Sequence, residues 1–326
     1  MKEAFRDRYG PPEVVHLRDV PVPVSGEGQV LVRVRAASVN RADLDGLKPK
    51  PGFLRLFMGL RAPRDQSVGS DVAGVVEGVG AAVTRFQPGD EVMGDLFGDG
   101  ISAFAEYVRA REKDLEPIPP GMSFDEASTL PHSAVLALQA MRLRKGRTVQ
   151  PGDRVLIVGA SGNVGPFAVQ IAKSMGTEVT GLASTAKLDM VRSLGADHVL
   201  DYTAVNVLRN GERYDWIVDV DSYLPITRVR RILKPGGAYV TLGGTNRTLF
   251  TGLVVGPIMS LFSDKWTGLM LWWKPWYPPD VARLKALIAA GKLRPVIDRR
   301  YPLVQVAEAL RYVEDRRPAG KVVITV

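Results

Sequence analysis

An α/β fold, with a doubly wound parallel sheet and a second, mostly β region, is predicted by three features of this 326-residue sequence. The first is VLIVGASGNVG at 155–165, an apolar run that ends in three evenly spaced glycines. The second is a regular alternation of strand-like and helix-like stretches downstream of it. The third is the absence of that alternation upstream, where short apolar runs are separated by Gly, Pro and Asp.

In the first feature, Pro151-Gly152 punctuates the chain, Val155 to Val158 has the β-branched character of a fully buried strand, and Gly159, Gly162 and Gly165 follow at three-residue spacing. Apolar residues at Val164, Phe167, Ala168, Ile171 and Ala172 then recur with helical period. A chain that leaves a parallel strand, turns tightly and starts a helix needs small residues where its backbone approaches a pyrophosphate. The loop is thus expected to bind a dinucleotide, through Gly159, Ser161, Gly162, Asn163, Val164 and Gly165, with the N–H groups of Asn163 and Val164 facing the anion. Pro166 removes one N–H in the first helical turn, where its loss is tolerated.

The second feature places parallel strands at Val155–Val158, Glu178–Leu182, His198–Leu200, Trp216–Val220 and Ala238–Leu242. Helical stretches lie between them, as at Thr185–Leu194, closed by Gly195, and Leu224–Leu233, closed by Pro235-Gly236-Gly237. This is the pattern of a Rossmann domain, expected over residues 124–278.

Upstream, Gln29–Ala36, Ser70–Val79 and Asp90–Met93 read as strands of an irregular, mostly antiparallel domain over residues 1–123. Residues 279–326 read as a helix (Val281–Ala290), an extended segment (Leu293–Tyr301), a second helix (Val304–Glu314) and a last strand (Lys321–Val326), a tail expected to return and complete the first domain. The apolar stretch Leu249–Phe262 is interrupted by Gly256-Pro257 and followed by Asp264 and Lys265, so no uninterrupted membrane-spanning run exists. A helix that borders the substrate cleft, followed by a strand near Trp266–Trp272 that pairs with another subunit, is expected there.

Composition agrees with a dinucleotide-binding protein of this fold. The chain has 45% hydrophobic residues and no cysteine, which excludes disulfides and thiolate metal sites. MKEAFRDRYG lacks the apolar core of a signal peptide, so a cytoplasmic location is expected. The net charge of +8 is scattered, its densest groups being Arg142, Arg144, Lys145 and Arg147, and Arg316 and Arg317. Basic residues are not interleaved with aromatic ones, so nucleic acid is not an expected partner, and an anionic cofactor is.

Several motifs stand in one order along nearly the whole chain: Ala37-Ser38-Val39-Asn40; Gly69-Ser70-Asp71-Val72-Ala73-Gly74 with Gly80; Phe86-Gln87-Pro88-Gly89-Asp90; Leu130-Pro131; the glycine loop; Ser193-Leu194-Gly195-Ala196-Asp197-His198; Asp201-Tyr202; and Gly320-Lys321-Val322-Val323. In these the chain resembles the zinc-free, quinone oxidoreductase-like branch of the medium-chain dehydrogenases/reductases. The resemblance implies a GroES-like catalytic domain split around the Rossmann domain, with the active site in the cleft between them. Zinc-dependent members of that superfamily carry a Gly-His-Glu-x-x-Gly run and a cysteine ligand. Here the run is Gly69-Ser70-Asp71-x-x-Gly74, cysteine is absent, and His16, His132 and His198 lack metal-ligand spacing, so no metal site is expected.

The second Rossmann strand runs into Gly181-Leu182-Ala183-Ser184-Thr185-Ala186-Lys187, with no carboxylate for a ribose 2′-hydroxyl. Ser184, Thr185 and Lys187 suit a 2′-phosphate, and NADPH is the expected cofactor; by resemblance Tyr202 also reaches the phosphate. The resemblance further implies that Asn40, with Asp43 at its family spacing, serves catalysis near the nicotinamide ribose and substrate carbonyl. It implies that Val220, Leu242 and Gly243 line the carboxamide, and that Lys321 meets phosphate or the cleft. Two positions depart from the family pattern: Leu136 replaces a threonine beside the cofactor, and Asp45 replaces a tyrosine. His132 and Ser133 are polar neighbours of Leu136, although a lone histidine at the head of a helix reads first as a packed residue.

The function implied is metal-free hydride transfer from NADPH to a quinone or an α,β-unsaturated carbonyl, in a homodimer formed through the edge of the Rossmann sheet. The alternatives are a zinc-independent alcohol dehydrogenase or ketone reductase, and a non-catalytic NADPH-binding protein with a regulatory or nucleic-acid-binding role.

Overall fold

A computed structural model describes residues 1–49, 55–97, 102–144, 146–220 and 222–326; Lys145 of the basic group lies outside them. Two compact units are formed, one from 1–135, 275–281 and 295–326, the other from 136–274 and 282–294. Residues 124–135, expected with the Rossmann domain, fall in the first unit.

The chain opens with β1 (Lys2–Phe5) and β2 (His16–Asp19), an antiparallel pair. Then come β3 (Gln29–Val39), α1 (Arg41–Leu47), α2 (Arg55–Met58), β4 (Asp71–Val79), β5 (Glu91–Asp95), β6 (Tyr107–Arg111) and β7 (Leu115–Pro117). Two short helices follow, α3 (Phe124–Ser128) and α4 (Pro131–Gln139). The second unit carries β8 (Arg154–Val158), α5 (Gly165–Ser174), β9 (Glu178–Ala183), α6 (Leu188–Ser193), β10 (His198–Asp201), β11 (Tyr214–Asp219), α7 (Ile226–Val229) and β12 (Leu233–Thr241). It continues through α8 (Asn246–Phe250), a π-helical turn at Thr251–Val255, α9 (Gly256–Leu261) and β13 (Trp266–Leu269). The tail is α10 (Pro278–Ala289), β14 (Ile297–Pro302), α11 (Val306–Glu314) and β15 (Lys321–Thr325).

In the first unit, apart from the β1–β2 pair, the described strands form a sheet in the order β14-β15-β3-β4-β5-β7, with β6 also on β3. All its pairings are antiparallel except β14 with β15. The long strand β3 alternates buried Val30, Val32 and Val34 with more exposed neighbours, then becomes continuously buried from Ala36 to Val39. β15 pairs antiparallel with that buried half, Val322 opposite Val39. One core includes Val32, Val39, Val72, Phe104, Leu310 and Ile324, so α11 and the last strand share it with the N-terminal strands.

In the second unit the sheet order is β10-β9-β8-β11-β12-β13, and every pairing is parallel. The order reverses beside β8, the switch point at which such sheets bind ligands. Leu156, Val158, Leu182, Ile217 and Tyr239 belong to its core. The Trp266 strand joins this sheet through β12 and is shorter than expected, ending at Leu269. The apolar stretch before it is helical, yet Phe250, Ile258, Leu261 and Phe262 are exposed. Gly252 and Gly256 provide the inward contact: a Cβ at Gly256 would stand 2.5 Å from Thr267 O, so the backbone lies close to β13 and the large side chains project outward.

No helix among the described residues is long and apolar enough to cross a membrane.

Candidate active site

The expected site residues fall into two groups, one in each unit. In the second unit, β8 ends at Val158 and the chain turns at Gly159 with φ of +78°, a conformation in which a side chain is strained. Gly162 N donates to Gly159 O at 3.1 Å. A Cβ at Gly165 would stand 2.1 Å from Gly159 O and 2.5 Å from the Ala160 carbonyl carbon, so glycine is sterically required where α5 begins. Ser161, Gly162, Asn163 and Val164 form the connection, Val164 being the helix N-cap. Val220 donates its N–H to Val158 O at 3.1 Å, and its Cβ would be 3.5 Å from a Cβ at Gly159. Leu242 N donates to Asp219 O, and Ser222 N to Gly243 O. Thus Gly159, Val220, Leu242 and Gly243 gather at the carboxyl ends of neighbouring strands. This bare backbone cradle fits a dinucleotide phosphate at a helix N-terminus.

Ser184, Thr185 and Lys187 follow β9, with Lys187 N donating to Ser184 O at 2.9 Å. The pairing of β10 with β9 sets Asp201 opposite Ala183, and Tyr202 N donates to Ala183 O at 3.1 Å, leaving the Tyr202 ring half exposed. The Thr185 hydroxyl donates to Asp201, and Thr203 donates to the same carboxylate through its hydroxyl and its N–H. Hydrogen bonds from Thr185 and Thr203 hold the Asp201 carboxyl below its usual pKa. The end of β9 lacks a carboxylate, as its sequence indicates, but the end of β10 supplies one. The signal for it is Asp201-Tyr202 itself, whose position beside Thr185 follows only from strand pairing.

In the first unit, Asn40 caps α1, and its N–H donates to Asp43 Oδ2 at 2.7 Å. Asn40 Nδ2 donates to Asp71 Oδ2 at 2.8 Å and stands 3.5 Å from Ser70 Oγ. Asn40 Oδ1 accepts from Lys321 Nζ at 2.6 Å and from Ser133 Oγ at 3.2 Å. Lys321 also donates to Ser133 Oγ at 3.0 Å and lies 3.7 Å from Asp71 Oδ2. Ser38 Oγ donates to Asp71 Oδ2, and His132 N to Asp71 Oδ1. His132 Nδ1 is 3.2 Å from Asp95 Oδ2.

All of these residues are buried, Lys321 and Asn40 at 1% exposure. Burial raises the Asp43 carboxyl to about 7, with the charge of Asp71 adding to the rise and the bond from Asn40 N opposing it. Burial likewise raises Asp71 against the pull of Lys321. Burial lowers Lys321, opposed by Asp71 and Asp43. For His132 burial disfavours the charge, but the bond to Asp95 and the charges of Asp95 and Asp71 outweigh it, and the pKa is raised.

Lys321, expected to meet phosphate or the cleft, has its ammonium enclosed by Asn40, Ser133 and Asp71. Its recruitment follows from β15 pairing with β3. His132, read as packed, is packed and also paired with Asp95. Leu136 lies half-buried on α4.

Asp71, Asp95 and His132 bring three possible ligand atoms within 4.8 Å of one another. Each is already committed: both Asp71 oxygens accept hydrogen bonds, His132 Nδ1 and Asp95 face one another, and the Lys321 ammonium supplies the local positive charge. This donor set does not fit a zinc ion, which needs ligand lone pairs free to converge.

Residues 26–120 match the family model described as alcohol dehydrogenase GroES-like domain, and residues 194–324 match the one described as zinc-binding dehydrogenase. The chain is 32% identical to the mitochondrial NAD(P)H oxidoreductase RTN4IP1 of Mus musculus, over 98% of this chain and 88% of that protein. It is also 32% identical to the chloroplastic quinone-oxidoreductase QR1 of Triphysaria versicolor, over 94% of this chain and 92% of that protein. The same identity holds for the chloroplastic NADPH-dependent alkenal/one oxidoreductase of Arabidopsis thaliana, over 99% and 79%. The solved quinone oxidoreductase of Coxiella burnetii has a TM-score of 0.87 and 30% identity, covering 100% of this chain and 99% of its own. The chain therefore belongs to the medium-chain dehydrogenase/reductase superfamily and is an oxidoreductase of its quinone-oxidoreductase-like branch.

Proposed function

We propose that this protein is an NADPH-dependent reductase that passes hydride to a quinone or an α,β-unsaturated carbonyl without a metal ion. The observation that carries the proposal is the glycine cradle at 159–165: a Cβ at Gly165 would strike Gly159 O, and the cradle lies at the switch point of a parallel sheet. The relatives support the acceptor class, since they are named for quinones and for alkenals and enones. NADPH supplies the hydride. Ser184, Thr185 and Lys187 hold its 2′-phosphate with Tyr202 beside them, and the glycine loop holds its pyrophosphate. Val220, Leu242 and Gly243 line the nicotinamide carboxamide. Asn40, held by Asp71 and capping the helix that bears Asp43, offers its side-chain N–H to the oxygen on which negative charge develops. Such a reaction asks for binding, orientation and exclusion of water rather than a strong acid–base pair.

The protein works as a homodimer. β13 is paired on one side by β12, its other edge is unpaired among the described residues, and Phe250, Ile258, Leu261 and Phe262 are exposed on the neighbouring helical segment. A second copy, related by two-fold symmetry, covers both. Light scattering that finds a monomer at micromolar concentration contradicts this.

The reaction is tested by steady-state rates with quinones, enones and simple ketones, each with NADPH and NADH in chelator-treated buffer. Turnover of quinones or enones with NADPH is expected. A preference for simple ketones points instead to a ketone reductase, and tight NADPH binding without turnover points to a non-catalytic binding protein.

A further inference from the structure

We infer that Lys321 is a positioning residue, whose ammonium fixes the side-chain amide of Asn40 with its oxygen turned inward and its N–H groups turned toward Ser70 and Asp71. The inference rests on the reading of Asn40 as the group that meets the reacting oxygen.

Amide oxygen and nitrogen are interchangeable in shape, so the orientation of an asparagine is decided by its partners. An ammonium has three donors and no acceptor. With Lys321 Nζ 2.6 Å from one end of the amide, that end must be Oδ1. Asp71 Oδ2, at 2.8 Å, accepts from the other end, which must be Nδ2. A flipped amide would set NH2 against the ammonium and oxygen against the carboxylate, two repulsive contacts in a buried site where such contacts are poorly screened. Ser133 adds to the lock, since it accepts from Lys321 at 3.0 Å and donates to Asn40 Oδ1. Of the two hydrogens on Nδ2, one is taken by Asp71. Among the described residues the other has only Ser70 Oγ at 3.5 Å, the outer limit of a hydrogen bond, and on the proposed function it is the one that meets a ligand oxygen.

The backbone places the ammonium with equal definition. Val322 is opposite Val39 in the antiparallel β15–β3 pair, so Lys321 stands opposite Asn40. Lys321 N donates to Val296 O at 2.8 Å. Gly320 before it has a φ of +118°, and a Cβ there would stand 2.5 Å from Val296 O, so the approach to Lys321 admits only glycine. Burial favours loss of the Lys321 proton while Asp71 and Asp43 oppose that loss. The lock at this end requires the ammonium, since a neutral amine has a lone pair that would accept from a flipped amide.

The test is a double-mutant cycle of Lys321→Met and Asn40→Ala, with kcat for an enone and the NADPH dissociation constant measured on each variant. A residue acting through Asn40 predicts a kcat loss of roughly tenfold or more in Lys321→Met, unchanged NADPH affinity, and little further loss when Lys321→Met is added to Asn40→Ala. Independent, multiplicative losses would overturn the inference, as would weakened NADPH binding, which marks a phosphate contact. A readout without turnover keeps this separate from the reductase reading: the Asn40 side-chain amide resonances of 15N-labelled protein, free of cofactor, are expected to shift in Lys321→Met. Unmoved resonances overturn the inference even if the enzyme is a reductase. Should Lys321→Met fail to fold, Lys321→Gln, which keeps an N–H donor, is expected to hold the Asn40 resonances nearer their wild-type positions than Lys321→Ala does, and equal shifts in the two would overturn it.

Discussion

Lys321 Nζ lies 2.6 Å from Asn40 Oδ1, although 281 residues separate them in the sequence. The last strand thus delivers a cation to the residue that follows the long N-terminal strand, and the buried polar groups around them are satisfied by one another: Ser38 and Asn40 on Asp71, Ser133 on Asn40, His132 on Asp95. Pairing of this kind offsets the cost of burying ionic groups.

Asp43 makes the protein less stable as pH rises. Its folded pKa of about 7 lies above the free value of 3.8, so the folded state binds the proton more tightly than the unfolded state does. The stability it contributes is present below about pH 4 and is lost as pH rises through about 7. Asp43→Asn keeps an acceptor for Asn40 N and removes the titration. Urea midpoints from pH 4 to 8 are expected to show the variant gaining on the wild type as pH rises. A difference independent of pH contradicts this.

Gly165→Ala places a methyl 2.1 Å from Gly159 O, which must move. Because that movement deforms the cradle, NADPH affinity is expected to fall at least tenfold, about 1.4 kcal/mol or more. Fluorescence titration with NADPH measures it, and unchanged affinity contradicts the assignment of the loop.

Cofactor choice responds in opposite directions to two charges. Lys187→Ala is expected to lower the ratio of kcat/KM for NADPH over NADH. Asp201→Asn, by removing a negative charge bonded to Thr185, is expected to raise it. Movement of both ratios in the same direction argues against a 2′-phosphate at this place.

Arg6 is 4% exposed, and its Nε and Nη1 have no hydrogen-bond partner among the described residues. Burial lowers its pKa, with Tyr9, Asp65 and Asp43 opposing. A buried cation with two unpaired donor nitrogens is destabilising, so Arg6→Met is expected to raise stability by about 1 kcal/mol or more, read from denaturant midpoints. A loss of similar size contradicts this reading of Arg6.

The Rossmann sheet was the most legible part of the sequence because its strands are buried on both faces: Val155 to Val158 needs no partner to announce itself. The strand at Leu233–Thr241 begins earlier than its apolar run, since Lys234-Pro235-Gly236-Gly237 has the composition of a turn yet lies within β12. The helix after it was legible as a helix but not in its facing. Bulky apolar residues are ordinarily read as the inward side, and here Gly252 and Gly256 take that side. In the polar cluster, Asn40 and Asp43 were indicated by the resemblance to the family. The partnership of His132 with Asp95, and of Lys321 with Asn40, was not, because pairing across a sheet leaves no local pattern.

Hydride delivery to an electron-poor carbon without a metal is tested most directly with NADPH deuterated at the transferred C4 position and an enone as acceptor, in chelator-treated buffer. A saturated ketone carrying one deuterium at the β-carbon is expected, with undiminished rate after chelation. An allylic alcohol with deuterium at the carbonyl carbon, or activity that disappears with the chelator and returns with zinc, would contradict it.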